Sequence, residues 1–266
     1  MKKFLIIILV IFVLYTSFCF FVYFNQKKLI FFPSRDAPSL TNEKNIEEVY
    51  LETEDNIKLN GWFLNNNSDK TVIFFHGNGG NVFYNRERLK IFNELHLNAL
   101  LFDYRGYGKS EGDIKKEDDL YKDADAAYQY VTSRGILPKN IILWGQSLGG
   151  AVAIHLAQNK ETNATIIESA FYSMEEMASK QFWFLPIKPL LKFHFRSDKK
   201  ISNILSPILV IHSADDEMIS FLNGKKLFNQ AREPKVFLET GGSHNGGFQK
   251  SYSLYYQAVK KFLKLD

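Results

Sequence analysis

The sequence predicts an α/β protein with a mostly parallel, twisted sheet, helices on both faces and an antiparallel hairpin at one edge. Two observations carry this. From residue 71 onward, short unbroken runs of Val, Ile, Leu and Phe alternate with longer amphipathic stretches. Unbroken apolar runs are what strands covered on both faces require, and the alternation is that of successive strand–helix units. Ahead of them, residues 48–54 and 57–64 are two strand-like runs joined by Glu-Asp-Asn, which gives the hairpin.

Taken in order, the chain starts with a short basic segment, residues 1–3. Residues 4–24 then carry no charge. At about 1.5 Å per residue this stretch reaches the roughly 30 Å of a bilayer's hydrocarbon core. A cleaved signal peptide has a shorter apolar region ending at a small-x-small site, and Ser17-Phe18-Cys19 would cut inside the run, so an uncleaved anchor is expected. Lys2 and Lys3 on one side are balanced by Lys27, Lys28 and Arg35 on the other, which leaves the side of the membrane open. Residues 25–47 form a connector containing "FFPSRDAPSL", and residues 48–266 form the folded α/β domain.

Within that domain the hairpin is followed by a strand at 71–75 ("TVIFF") and a helical pattern at 82–95. A strand at 98–102 ("NALLF") precedes an amphipathic helix at 117–134. A strand at 140–144 runs into a helix at 148–158, and a strand at 164–167 follows. Strands at 207–211 and 236–238 flank a helix at 222–231, and a helix at 252–263 closes the chain. No internal repeat or low-complexity linker interrupts the series.

Composition narrows the functional classes. The chain has 266 residues, 45% hydrophobic and 23% charged, which suits one folded α/β domain. The net charge of +4 comes without a long basic run or a nucleic-acid motif, so no nucleic-acid partner is expected. Cys19 is the single cysteine, which excludes an intramolecular disulfide and a cysteine-based metal cluster.

The chemistry centres on "NIILWGQSLGGAVAIHLA". Gly145-Gln146-Ser147-Leu148-Gly149 ends a strand and opens a helix, the context of a nucleophile held on a tight bend. A small-residue turn would carry the same letters, but the strand before and the helix after favour the nucleophile. Small neighbours leave room for a strained serine, and the helix turns its N–H groups and positive dipole end toward the site. A serine needs a base and an acid, expected further along in the order Ser, Asp, His.

Of six histidines, His212 and His244 lie late enough. His244 stands in the Gly-rich loop "ETGGSHN" at the expected sheet edge, while His212 ends a strand and reads as structural. The acid is sought in the loop after that strand, where Asp215 and Asp216 compete as equivalent short carboxylates. We take Asp216 as the partner of His244, with Asp215 the alternative. Backbone N–H donors for a developing oxyanion are expected from Leu148, after the nucleophile, and from Asn78 in "FFHGNGGN" after the third strand. His76 in that stretch reads as a brace of the loop. Neither a G-x-x-x-x-G-K-[ST] nor a G-x-G-x-x-G spacing occurs, and no metal or cofactor is called for.

Together, "FFHGNGGN", "LLFDYRGYGKSEG", "GQSLGG", "VIHSADDEMIS" and "GGSHN" resemble the alpha/beta-hydrolase superfamily in order and context. The chain looks most like the membrane-tethered alpha/beta-hydrolase domain proteins, which include the fungal bud-emergence hydrolase and mammalian protein depalmitoylases. It is similar also to the serine aminopeptidase and prolyl-oligopeptidase-like branches. The resemblance runs from about residue 25 to the C-terminus and implies Ser147 as nucleophile, Asp216 as acid and His244 as base. In the related His-Gly-x-x-Asp pattern the acid is the fifth residue, which is Asp216 here, although Ser213 stands where the pattern has glycine.

Other polar residues read as structural. Asp103 and Arg105 brace loops beside Tyr104 and Tyr107, and Asp123 and Asp125 sit where a helix begins and carboxylates suit its dipole. Glu168 ends a strand near the site and is a lesser candidate for substrate contact. The resemblance places a small cap at about residues 169–204. Its Phe171, Tyr172, Phe182, Trp183, Phe184, Phe193 and Phe195 would line an acyl site or fill the cap's own core. Its Lys180, Lys188, Lys192, Arg196, Lys199 and Lys200 would meet lipid headgroups or water. The expectation is a membrane-anchored serine hydrolase of carboxylic esters or thioesters, with a small-molecule, lipid or acyl-protein substrate. A peptidase of the prolyl-oligopeptidase or aminopeptidase kind and a non-catalytic membrane scaffold are the alternatives. Only the pair Glu175 and Glu176 is available in the cap to hold a peptide amine.

Overall fold

Alternation of side chains along each strand sets the architecture. In Thr71–Phe75, Ile73 and Phe75 join the apolar cluster on one face of the sheet, and Val72 and Phe74 join the cluster on the other. Both faces therefore need helical cover, as period-2 side-chain geometry demands. The computed structural model describes residues 1–38 and 45–265. Part of the expected connector, 39–44, lies outside the described residues, as does residue 266.

The sheet has eight strands: β1 (Ile46–Glu52), β2 (Lys58–Leu64), β3 (Thr71–Phe75), β4 (Asn98–Phe102), β5 (Ile141–Gln146), β6 (Ala164–Glu168), β7 (Ile208–Ser213) and β8 (Lys235–Thr240). Their spatial order is β8-β7-β6-β5-β3-β4-β2-β1. β1 pairs antiparallel with β2, β2 antiparallel with β4, and all other neighbours are parallel. The expected mostly parallel sheet with a hairpin at one edge is what forms.

The helices are α1 (Lys2–Ile30), α2 (Arg88–Glu94), α3 (Glu117–Ser133), α4 (Leu148–Ala157), α5 (Met174–Gln181), α6 (Ile187–Leu190), α7 (Ser197–Lys200), α8 (Leu222–Gln230), α9 (Gly247–Lys250) and α10 (Tyr252–Phe262). α3 and α4 pack on the Ile73 face, and α2 and α10 on the Phe74 face. The helix expected at 82–95 is divided. Val82–Asn85 is a 3-10 turn whose first N–H donates to Asp103 Oδ1 at 2.7 Å, with the Asn81 side chain accepting from Phe83 N at 3.0 Å, and α2 starts only at Arg88. These side-chain acceptors capture N–H groups that a continuous helix would leave open.

α1 runs on to Ile30, through residues expected to belong to the connector, and its apolar residues are exposed along almost all its length. Its end grips the domain. Gln26 Nε2 donates to Leu190 O at 2.5 Å, and Gln26 Oε1 accepts from Lys192 N at 2.8 Å. Both contacts lie in the insertion between β6 and β7, which holds α5, α6 and α7. Two further bonds fasten that insertion to α3, since Glu117 Oε2 accepts from His194 N at 2.7 Å and Phe195 N at 2.8 Å. Phe171, Phe193 and Phe195 are buried in the core, whereas Phe182, Trp183 and Phe184 are exposed. The insertion's aromatic residues thus divide into a packed base and an uncovered tip.

Candidate active site

β5 ends on Gln146, and the chain turns through Ser147 (φ 54°, ψ −118°) directly into α4. Positive φ is costly for a residue with a Cβ, and a bend this tight persists only where its surroundings dictate it. Those surroundings are backbone. A Cβ at Gly145 would stand 2.2 Å from Gly149 O, and one at Gly149 would stand 2.0 Å from Phe75 O. The two glycines flanking Ser147 are therefore required by close approach of main chain. Ser147 N–H donates to Glu168 O at 2.8 Å, which anchors the bend to β6.

Three side chains meet at the carboxyl ends of the strands, where open α/β sheets place their sites. His244, in the loop after β8, has Nε2 3.1 Å from Ser147 Oγ and Nδ1 2.8 Å from Asp216 Oδ2. A carboxylate only accepts, so Nδ1 carries the proton and Nε2 presents its lone pair to the serine hydroxyl. Asp216 Oδ1 accepts from Met218 N at 3.0 Å and Ile219 N at 2.7 Å. Burial alone would raise the Asp216 carboxyl, but hydrogen bonds from His212, His244 and the Ile219 N–H outweigh it and hold the group well below the usual carboxylate range. Asp216 is thus an ionised partner for His244.

Asp215, the alternative acid, points elsewhere. Its Oδ2 accepts from Gly242 N at 3.0 Å and faces Lys250 at 3.4 Å, so it braces the loop that carries His244. His212 is fully buried, with Nε2 2.8 Å from Ile219 O and 3.4 Å from Asp216 Oδ2.

Around the serine, Gly77 lies so close that a Cβ on it would be 3.6 Å from Ser147 Cβ, which brings the loop after β3 against the elbow. Leu148 is the first residue of α4, where an N–H has no acceptor within its own helix. The peptide at Asn78 is fixed from outside. Asn78 O accepts from Phe32 N at 2.9 Å and Tyr107 Oη at 2.7 Å, and Asn78 Nδ2 donates to Ile30 O at 2.7 Å. Phe32–Pro33 then pairs with Gly79–Gly80 as a two-residue parallel ladder. The end of α1 and the residues after it are therefore structural parts of this loop, a link that no local spacing in the sequence signals.

His76 packs against Tyr104 and Tyr107, with Nδ1 2.7 Å from Gly77 O and Nε2 3.7 Å from Asp103 Oδ1. Burial lowers His76 to about 4 and raises Asp103 to about 7. Arg105 binds Asp55 and Asp123 at 2.8 Å each and is a brace. Asp123 and Asp125 do not begin a helix. α3 starts six residues before Asp123, at Glu117, and its first turn holds Glu117, Asp118 and Asp119. Asp123 is buried on Arg105, and Asp125 pairs with Lys160 at 2.9 Å.

Residues 66–200 match the family model described as serine aminopeptidase, S33. The chain belongs to this family of the alpha/beta-hydrolase superfamily. An alpha/beta hydrolase domain-containing protein of Arabidopsis thaliana, WAV2, is 30% identical over 90% of this hydrolase and 87% of its own length. An uncharacterized protein of Mycobacterium tuberculosis is 32% identical over 91% and 89%. Among solved structures, the Pyrococcus furiosus esterase Pf2001 superposes with a TM-score of 0.74 at 25% identity, over 88% of this chain and 98% of that one. An alpha-beta hydrolase from Vibrio vulnificus gives 0.69 at 24% identity, over 82% and 81%.

Within this hydrolase Glu168 is not placed to touch a substrate. It is buried in a two-pronged ion pair with Arg88, Nη1 to Oε2 at 2.9 Å and Nη2 to Oε1 at 2.7 Å, and Trp144 Nε1 donates to Oε2 at 3.0 Å. Arg88 in turn lies 4.0 Å from the Phe248 ring centre. Sequence reading missed this pair because its members stand 80 residues apart with no motif joining them.

Proposed function

We propose that this chain is a membrane-anchored serine hydrolase cleaving carboxylic ester or thioester bonds. Ser147 attacks the carbonyl carbon while His244 Nε2 takes the hydroxyl proton, and ionised Asp216 steadies the imidazolium. The backbone N–H groups of Leu148 and Asn78 receive the oxyanion. His244 returns the proton to the departing alcohol or thiol, leaving an acyl-enzyme. Water then adds with His244 as base and releases the acid and free Ser147.

The observation that carries the reading is His244 within hydrogen-bond reach of both Ser147 Oγ, at 3.1 Å, and Asp216, at 2.8 Å, on a serine held at positive φ. The esterase among the similar solved structures supports ester chemistry. The long apolar α1 supports anchoring, with substrates of lipid or acyl-protein type within its reach.

An aminopeptidase needs a free acidic group for the substrate amine, and the insertion's two glutamates are engaged. Glu176 holds Lys226 at 2.7 Å through both oxygens, and Glu175 lies between Lys188 at 3.6 Å and Arg196 at 3.9 Å. The test is turnover of a small chromogenic ester by the full chain in detergent, beside an aminoacyl anilide. The ester should be hydrolysed. Asp216→Asn should lower kcat by about 10⁴-fold, while Asp215→Asn should stay near the parent. Turnover of the anilide in preference to the ester would favour a peptidase, and no turnover of either by folded protein would favour a scaffold.

A further inference from the structure

The exposed tip of the insertion lies beside α1. Phe182, Trp183 and Phe184 are consecutive, and they are 42%, 82% and 48% exposed. Three large aromatic residues uncovered in a row are unusual on a water-facing surface and usually mark a contact surface. The tip lies beside the apolar helix, since Tyr15 Oη donates to Phe184 O at 2.8 Å. Further along α1, Gln26 bonds Leu190 and Lys192 as described, and Lys192 Nζ stands 4.0 Å over the Tyr23 ring. The insertion therefore runs along α1 from Tyr15 to Gln26.

We infer that Phe182-Trp183-Phe184 enters the lipid bilayer beside α1 as a second membrane element. The inference rests on the reading of α1 as a membrane anchor.

Position along the helix favours lipid as the occupant. Tyr15 lies nine residues before Phe24, the last residue of the apolar stretch, or about 14 Å along the axis. One leaflet's hydrocarbon is roughly 15 Å thick, so the tip stays within one leaflet. Lys192 holds its ammonium over the Tyr23 and Phe24 rings, 4.0 and 5.3 Å from their centres, at the end of the apolar stretch where interfacial lysines and aromatic residues gather. Part of the turn's backbone is satisfied without water, with Phe182 N bonded to Ala178 O at 2.8 Å, Leu185 N to Phe182 O at 2.9 Å and Phe184 O accepting from Tyr15 Oη, which lowers the cost of setting it against lipid. Because Ile30 and Phe32 hold the Asn78 loop, such a tip would keep the serine beside the bilayer, where an acyl ester is met.

The tryptophans provide the test. Of three, Trp62 and Trp144 are buried and Trp183 is the exposed one. The full chain is reconstituted into phosphatidylcholine–phosphatidylglycerol vesicles with or without brominated phosphatidylcholine, and flotation is scored alongside tryptophan emission. The expected result is flotation with the vesicles, a blue-shifted Trp183 component, and quenching by bromolipid that Trp183→Phe largely abolishes. Acrylamide in the aqueous phase should reach this component poorly. Flotation without bromolipid quenching overturns the tip insertion alone. In that case, acrylamide quenching would put Trp183 in water, and protection from acrylamide would put a protein surface on it. Failure to float overturns the anchor reading and the insertion together.

Discussion

Replacing Glu168 with glutamine should cost stability and leave chemistry in place. Arg88 and Glu168 are both buried, share bonds of 2.7 and 2.9 Å, and are closed in by Phe248, Phe74 and Trp144. Glutamine keeps the shape and an acceptor for Trp144 Nε1, so no cavity forms. What remains is a buried guanidinium with no counter-charge, enclosed by Phe74, Phe248, Trp144 and Tyr255. Breaking one side of such a pair costs about 3–5 kcal/mol. At about 2–4 °C per kcal/mol for a chain of this size, Tm should fall by about 6–20 °C. Thermal melts of the detergent-solubilised protein by circular dichroism measure the shift. The rate on a small ester at low temperature, scaled to folded protein, should stay near the parent. Arg88→Met combined with Glu168→Gln should recover part of the loss, because it removes the unpaired charge and keeps an acceptor for Trp144 Nε1. A Tm change below about 2 °C with a clear loss of rate would refute the argument and return Glu168 to substrate contact.

Two other outcomes follow from the loop after β3. Asn78→Ala removes the bond to Ile30 O at 2.7 Å while keeping the backbone N–H. At about 1 kcal/mol for one such bond, kcat should drop roughly fivefold with little change in KM, and an unchanged kcat would show that the contact with Ile30 does not position the loop. Asp103 has its folded pKa raised from 3.8 to about 7 by burial, so the folded state keeps a proton that the unfolded chain gives up. Its contribution is fully present below pH 4 and is lost as pH rises toward 7. His76, lowered from 6.5 to about 4, acts with the opposite sign, its contribution being lost as pH falls through that window. Urea midpoints across this range should therefore vary little in the parent but rise with pH in Asp103→Asn, and parallel curves for the two proteins would contradict the assignment.

The sheet was legible because its strands are local, unbroken apolar runs, and β3 through β7 each appear within a residue or two of their expected ends. Ser147 and His244 were drawn together by the order of elements alone, since a strand-to-helix bend and a late Gly-rich loop fall at one edge of a parallel sheet. Asp215 and Asp216 are equivalent on paper. What separates them is the turn of the loop, which sends one carboxylate to His244 and the other to Gly242 and Lys250. Long-range pairings left no trace in the sequence: Arg88 with Glu168, Arg105 with Asp123, and Ile30 with Asn78. Each joins residues 18 to 80 positions apart through geometry that only the packed fold creates. The insertion's aromatics were ambiguous for the same reason, because composition does not distinguish Phe193, packed on Phe31 at 5.1 Å, from the uncovered Trp183.

The central claim is an activated serine at position 147. The direct measurement is covalent labelling of the full chain in detergent with a fluorophosphonate probe, followed by mass-spectrometric mapping of the modified residue. Labelling at Ser147, abolished in Ser147→Ala and strongly reduced in His244→Ala, is the predicted result. A folded protein that takes no label, or takes it on a residue other than Ser147, would contradict the account.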